Sequence, residues 1–298
     1  MACRVAKRHP DRRFVFHGLA NTNGPAWGNR PGNLRVVLTV HDPIPLLPIA
    51  NVGRLKRAYY RFGWRRVLPR ADAIVCISRW TADEVRRRLP QVWDRIIVAP
   101  NGRPSDSDRP RRRVPNQDRP PTDAVSLLCI SRSEAYKRLE FLIELAVASE
   151  FRLDIVTDLA GVDRLSSLGD RRGVADRVRL HTGLSDSELR TLWERTDVYV
   201  QPSLLEGYCL PVAEALASRR PVVYTGGSGV DEVAGRTVAC RLVPGDNAEA
   251  WVEAVRRMHV EAGRDDWDAR VAEHLSSLST WDEHADGVVR AYGLDDVV

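Results

Sequence analysis

The 298-residue sequence has no apolar run near the roughly 20 residues needed to cross a bilayer, which excludes a helical membrane span. Its first residues, MACRVAKRHPDRR, carry charge but no apolar stretch of the kind that marks a secretory leader. Five cysteines are present, Cys3, Cys76, Cys129, Cys209 and Cys240, with no C-x-x-C pair and no histidine at zinc-finger spacing. Cys76 and Cys129 lie in apolar runs, where a thiol behaves as a small hydrophobe. These absences predict a reduced, cytoplasmic protein with no structural metal. A more local absence concerns charge of one sign. From Pro43 to Ala71 there is no Asp or Glu, although the net charge of the whole chain is only +5.

What fills that acid-free stretch is Arg54, Lys56, Arg57, Arg61, Arg65, Arg66 and Arg70, interleaved with Tyr59, Tyr60, Phe62 and Trp64. Three readings stay open: peripheral contact of 54–70 with an anionic membrane face, binding of acceptor phosphates, or a solvated helix whose aromatics are in the core. No recognised nucleic-acid motif accompanies the stretch, so nucleic acid is not expected as a partner.

The remaining pattern is strand and helix in alternation. "RFVFH" (13–17), "LRVVLTVHD" (34–42), "DAIVCIS" (72–78) and "RIIVAPNG" (95–102) are short, β-branched and ended by polar residues, as buried parallel strands are. Helical patterns occupy about 53–70 and 80–90. Arg103 to Asp123, rich in Pro, Arg and Asp, reads as a linker. Beyond it come strands at 124–131, 152–158, 177–183, 197–203 and 221–227. Helices are expected near 137–149, 185–195, 211–218 and 247–262, with a last one from Trp281. The alternation predicts two α/β domains with parallel sheets. The first is placed at 1–121, its linker at 103–121, and the second at 122–298.

Ligands of open parallel sheets bind beyond the carboxyl ends of the strands. That rule selects His17, Gly18, His41, Asp42 and Ser78 in the first block. In the second it selects Ser131, Arg132, Gly183, Ser203 to Glu206, and Gly226 to Gly229. The segment "LLEGYCLPVAEALASRRPVV" adds two glutamates eight positions apart. On one straight helix Glu206 and Glu214 would sit about 12 Å and about 80° apart, too divergent for one small ligand. Pro211, favoured at a helix start, places Glu206 in a loop and Glu214 in the first turn of the helix that follows. The free N–H groups of that turn suit a phosphate, with hydroxyls for the glutamates on either side. A nucleotide sugar has this shape. Helix-dipole stabilisation explains Glu214 equally well. Arg132 and Lys137, directly after the strand at 124–131, would neutralise a diphosphate without a metal.

Taken together, "FHGLANTN", "VLTVHDPIPLLP", "RADAIVCISRWTADEV", "LLCISRSEAYKRLEFLIE" and the E-x7-E segment "DVYVQPSLLEGYCLPVAEALASRRPVV" resemble the retaining glycosyltransferases of family 4. The likeness runs from about His9 onward, to a group that includes bacterial mannosyltransferases. It implies the GT-B fold: two Rossmann-like domains facing across a cleft, the last helix crossing back onto the first. The resemblance implies that Arg132 and Lys137 hold the diphosphate, Glu214 the ribose, and that Glu206 faces the transferred sugar. Tyr208 to Val212, with Gly207, Cys209, Leu210 and Pro211, would supply backbone N–H groups and pocket walls. His41 and His17, with Gly18, Asn21 and Asp42, would form the acceptor side. His41, Glu206, Lys137 and Arg132 are then the catalytic candidates, no metal or cofactor is required, and the donor is a GDP- or UDP-linked hexose.

Two departures from the family pattern follow. Cys209 stands where the family has glycine. The family's first strand and its glycine-bearing loop have no counterpart, so the first domain is expected to be naturally minimal, truncated or completed by a partner chain. A catalytically weak donor-binding subunit is therefore the alternative to an enzyme acting on a carbohydrate or lipid-linked acceptor. A dehydrogenase is disfavoured because "GGSGVDE" lacks the final glycine of the dinucleotide fingerprint. The two D-x-D matches, Asp106 to Asp108 and Asp266 to Asp268, follow no apolar strand, which argues against a metal-dependent transferase.

Overall fold

The computed structural model describes residues 2–21, 30–104 and 124–293. Contacts divide the chain into two compact units. One is Met1–Gly102 with Glu206–Tyr208 and Ser279–Val298; the other is Arg103–Leu205 with Cys209–Leu278. The sequence reading divides the chain at 121/122; by contacts the tripeptide Glu206–Tyr208 groups with the first unit, as does the last helix, whose return the family resemblance implies. Most of the proposed linker lies outside the described residues.

The first unit contains α1 (Ala2–Arg8), β1 (Phe14–Gly18), β2 (Leu34–Val40), α2 (Arg54–Val67), β3 (Ala73–Cys76), α3 (Arg79–Arg88) and β4 (Ile96–Val98). Its four strands pair in parallel in the order β1-β2-β3-β4. A sheet built outward in one direction by right-handed crossovers puts its connecting helices on one face. That face buries Val36, Leu38 and Val40 of β2 and Ile74 and Cys76 of β3 against Trp64, Leu68, Ala82 and Val85. Strand side chains alternate, so Val37, Ala73 and Val75 point the other way and need a separate cover.

The second unit contains β5 (Ser126–Ile130), α4 (Leu139–Val147), β6 (Arg152–Val156), α5 (Leu159–Arg172), β7 (Val178–His181), α6 (Asp186–Arg195) and β8 (Val198–Gln201). These are followed by α7 (Leu210–Ala217), β9 (Val222–Thr225), α8 (Asp231–Ala234), β10 (Ala239–Leu242), α9 (Ala248–Glu261) and α10 (Trp267–Ser276). The final helix, α11 (Trp281–Tyr292), returns to the first unit. Its Val288, Ala291 and Tyr292 cover the second face of the first sheet. Arg35 Nε also donates to the Ala291 carbonyl at 2.8 Å.

All six strands of the second sheet are parallel, in the order β10-β9-β8-β5-β6-β7. The chain enters at the centre, walks out through β6 and β7, then returns to lay β8, β9 and β10 on the other side. Strands buried on both faces read as continuous apolar runs, and Leu127, Leu128, Cys129, Val198 and Val200 are each 1% exposed or less. The structure adds α1, α5, α8, α10 and the edge strand β10 to the elements expected from the sequence. Gly161 and Gly169 weaken the helical pattern of α5, yet a Cβ at Gly161 would come within 2.6 Å of Thr157 Oγ1 and 2.9 Å of Ser133 Cβ.

Candidate functional site

The winding of the second sheet reverses between β5 and β8, and the crevice beyond such a reversal is where doubly wound sheets bind ligands. The loop after β5 carries Ser131 to Arg138 and the loop after β8 carries Pro202 to Leu205. The two are joined by a hydrogen bond from Leu204 N–H to the Tyr136 carbonyl, 2.8 Å. Lys137 is half-buried, with Nζ 5.3 Å from the Tyr136 ring centroid. Arg132 is exposed and forms no ion pair among the described residues. The Ser131 hydroxyl is buried with no hydrogen-bond partner.

Polar side chains hold both loops from below. Tyr199 Oη donates to Gln201 Oε1 (2.7 Å) and Gln201 Nε2 donates to Ser203 Oγ (2.6 Å), a buried chain under the β8 loop. Asp158, the N-cap of α5, accepts from Ser133 Oγ (2.6 Å), Ser133 N (3.0 Å) and Gly161 N (2.9 Å). The Ser133 hydroxyl, then its N–H and that of Gly161, hold the Asp158 carboxyl below the usual carboxylate range. Neither Asp158 nor Gln201 was singled out by the sequence; both become legible once their strand ends are known.

Helices α5, α6, α9 and α11 all begin on a capping side chain, from Asp158, Ser185, Asn247 and Thr280. The two helices leaving the switch point do not. Each starts from a non-glycine residue in the left-handed region without a side-chain cap: Arg138 at φ 54° before α4, and Cys209 at φ 79° before α7. Such strain costs about 1–3 kcal/mol and concentrates at functional sites. Lys137 and Arg138 also place positive charge at the positive end of the α4 dipole, an arrangement that an anion relieves.

Helix α7 corrects the sequence expectation in detail. It starts at Leu210, so Glu214 is its fifth residue, beyond the first turn, and no acidic residue lies in that turn. Dipole stabilisation in the first turn therefore does not account for Glu214, which is half-buried among buried neighbours. Pro211 has no N–H, and the Val212 N–H turns back on the Cys209 carbonyl at 3.1 Å. Neither supplies a ligand donor, contrary to the expected run of amides from Tyr208 to Val212.

In the first unit, Gly207 sits on the backbone of His41. A Cβ there would fall inside the van der Waals surface of the His41 carbonyl oxygen and 3.1 Å from Asp42 Cβ. Ser78, wholly buried, donates to the Gly207 carbonyl at 2.6 Å while its oxygen caps α3 by accepting from Thr81 N at 3.0 Å. The neighbouring Glu206 is 7% exposed and Tyr208 4%. His41 itself is exposed, and its Nε2 lies 2.8 Å from the Leu19 carbonyl. A carbonyl only accepts, so Nε2 carries a proton, and the tautomer protonated there alone has Nδ1 as its acceptor.

The rest of the expected acceptor side has different work. Asn21 Oδ1 accepts from His41 N (2.7 Å) and its Nδ2 donates to the Asp42 carbonyl (3.1 Å), fixing the backbone under His41. Asp42 Oδ1 accepts from Ile44 N at 2.9 Å and starts the 3-10 turn Ile44–Leu46. Gly18 is the buried last residue of β1. His17 is a correction: Nδ1 meets Tyr292 Oη at 2.9 Å and Nε2 meets Thr39 Oγ1 at 2.8 Å. Both ring nitrogens are engaged, so His17 ties the first sheet to α11 instead of meeting an acceptor. Burial, with a smaller contribution from nearby His284, holds its imidazole below the ordinary value.

Among the described residues no three His, Cys, Asp or Glu side chains are grouped as metal ligands would be. Asp266 and Asp268 stand at the start of α10, and Asp106 to Asp108 lie outside the described residues. Beyond β9, Gly227 N donates to Asp231 at 2.7 Å, and α8 there is a four-residue helix.

Comparison with known proteins places these observations. Residues 7–107 match the model of glycosyltransferase family 4, and residues 110–267 that of the glycosyl transferases group 1. A D-inositol 3-phosphate glycosyltransferase of Xylanimonas cellulosilytica is 28% identical over 77% of this chain and 58% of its own length. The MMP alpha-(1->4)-mannosyltransferase of Mycolicibacterium hassiacum is 29% identical over 70% of this chain and 52% of its own. The chain thus spans about half the length of the curated relatives it matches. The solved structure of WaaG, a glycosyltransferase involved in lipopolysaccharide biosynthesis, has TM-score 0.73 at 15% identity, covering 97% of this chain and 80% of that one. The switch-point sheet of the second unit and the E-x7-E segment from Glu206 to Glu214 both lie within a family match that takes in more than half the residues, and so the chain, with the GT-B fold, belongs to the glycosyl transferases group 1.

Proposed function

We propose that this chain moves a hexosyl group, mannosyl in the first instance, from a nucleoside-diphosphate sugar to an acceptor hydroxyl, retaining the anomeric configuration and requiring no metal. The observation that carries the reading is the Leu204–Tyr136 hydrogen bond at the switch point. It joins the loop bearing Arg132, Lys137 and Arg138 to the loop that leads toward α7. Positive side chains and the uncapped start of α4 on joined loops suit a diphosphate. A mannosyltransferase among the relatives supports the choice of sugar.

In this reading the bond from the anomeric carbon to the diphosphate oxygen breaks first, and the electron pair leaves with the phosphate. Arg132 and Lys137 neutralise the charge that develops there, and Glu206 faces the positive charge left on the sugar. The acceptor oxygen then bonds to the anomeric carbon from the side the diphosphate left, and its proton passes to Nδ1 of His41. Glu214 takes the ribose hydroxyls. GDP or UDP is the expected nucleotide, and the acceptor is a carbohydrate or a lipid-linked glycan.

Thermal unfolding of the purified chain with GDP, UDP or ADP tests the reading without an acceptor. A nucleotide at 100-fold its dissociation constant should stabilise the fold by about 2.7 kcal/mol. No rise in melting temperature with any of the three would overturn the donor site. Sugar transfer or donor hydrolysis by the chain alone separates an enzyme from a donor-binding subunit that needs a partner chain.

A further inference from the structure

We propose that α2 docks this protein on an anionic lipid surface, with Leu55, Tyr59 and Phe62 entering the interface and the flanking arginines meeting the headgroups. The acid-free stretch allowed its aromatics to be either core or surface, and they divide. Trp64 is 2% exposed in the core, whereas Leu55 is 88%, Tyr59 61% and Phe62 64% exposed. Positions 55, 59 and 62 fall within about 60° of one another at 100° per residue, on the side of the helix away from Trp64 and Val67. The helix thus carries a second apolar stripe that nothing among the described residues covers, and Ile49, in the 3-10 turn just before it, is 48% exposed as well.

Charge selects the occupant. No carboxylate lies between Pro43 and Ala71, and Arg66 stands over the Phe62 ring at 5.5 Å, beside the stripe. On the flank, Arg61 and Arg65 have no carboxylate partner among the described residues. With Trp64 and Arg88 they line a cavity of about 120 Å³, and the indole N–H of Trp64 is buried without a partner. An exposed apolar stripe bordered by unpaired cations matches a bilayer with anionic headgroups, where the apolar side chains sink below the phosphates and the guanidinium groups stay level with them. A second copy would bring arginine against arginine. Nucleic acid would satisfy the arginines and leave Leu55 and Phe62 in water.

The test is co-sedimentation of the whole chain with vesicles of phosphatidylcholine alone or mixed with phosphatidylglycerol. The chain should pellet with the mixed vesicles only, and high salt should release it. Leu55→Ser with Phe62→Ser, and separately Arg61→Gln with Arg65→Gln, should each lower partitioning roughly tenfold or more with the melting temperature unchanged. Equal binding to both vesicle types, no binding to either, or partitioning by the variants like the parent would overturn the proposal. So would a dimer or a DNA complex that needs these residues in a chain that ignores vesicles. Nucleotide plays no part in the assay, so its outcome is independent of the proposed transfer reaction.

Discussion

Gly207 lies against the carbonyl oxygen of His41, with no room for a Cβ between them. The contact brings the loop expected to face the transferred sugar onto the backbone of the residue expected to face the acceptor. Since the neighbour is main chain, a methyl group there cannot be accommodated by a rotamer change. Gly207→Ala should destabilise the first unit by about 1–3 kcal/mol, the usual cost of overpacking, and lower turnover more than nucleotide affinity. Denaturant unfolding and steady-state kinetics measure the two. An alanine variant as stable and active as the parent would mean that the loop packs differently.

Cys209 offers a cleaner comparison. Cys209→Ala and Cys209→Gly both remove the thiol, but only glycine adopts φ 79° without strain. The left-handed region costs an L-residue about 1–2 kcal/mol, and the extra freedom of glycine in the unfolded chain returns about 0.5–1 kcal/mol of that. The glycine variant should therefore be the more stable of the pair, by up to about 1.5 kcal/mol. Alanine proving the more stable would show that the strain at this helix start is illusory.

Lys137→Ala should weaken nucleoside-diphosphate binding by about 1.5–3 kcal/mol, the worth of a charged hydrogen bond, which is roughly ten- to a hundredfold in affinity. Arg132→Ala should act in the same direction, while added chelator should leave turnover unchanged. Calorimetric titration gives the affinities. Near-parental binding by the Lys137 variant places the phosphates elsewhere.

His17 ties stability to pH. Its folded value lies below that of the unfolded chain, so the unfolded state binds the proton more readily. The stabilisation is fully present above about pH 6.5, the ordinary imidazole value, and is lost as pH falls from there toward the depressed folded value. Stability measured from pH 8 to 5 should decline on the acid side, and His17→Gln should flatten that part of the curve. A profile unchanged by the substitution would assign the decline to other groups.

The alternation of apolar strands and amphipathic helices made both parallel sheets legible, because buried parallel strands keep their signal whatever surrounds them. The edge strand β10 escaped because exposed Arg241 interrupts its four residues, and α5 because two glycines weaken its pattern, one of which, Gly161, answers to packing that no local pattern reveals. Arg132, Lys137 and the two glutamates are candidates from spacing and family likeness, and the first two lie in the loop after β5 at the switch point. His17 could not be read correctly: it sits at a strand end as a ligand-binding histidine would, and its partner Tyr292 lies 275 positions away. The return of Glu206–Tyr208 to the first unit was equally hidden, since it depends on a glycine fitting against a backbone far off in sequence.

Helix α11 has a consequence for the order in which the protein is made. The strands of the first sheet are complete by Val98, but one of their faces stays bare until residues 281–292 emerge from the ribosome. At ordinary rates of translation that interval is on the order of ten seconds or more. The second unit, whose strands and helices are contiguous apart from three residues, has its whole sheet in hand earlier. The domain translated first is thus the one finished last, and for that interval its uncovered valines are open to whatever chaperone or neighbouring chain reaches them.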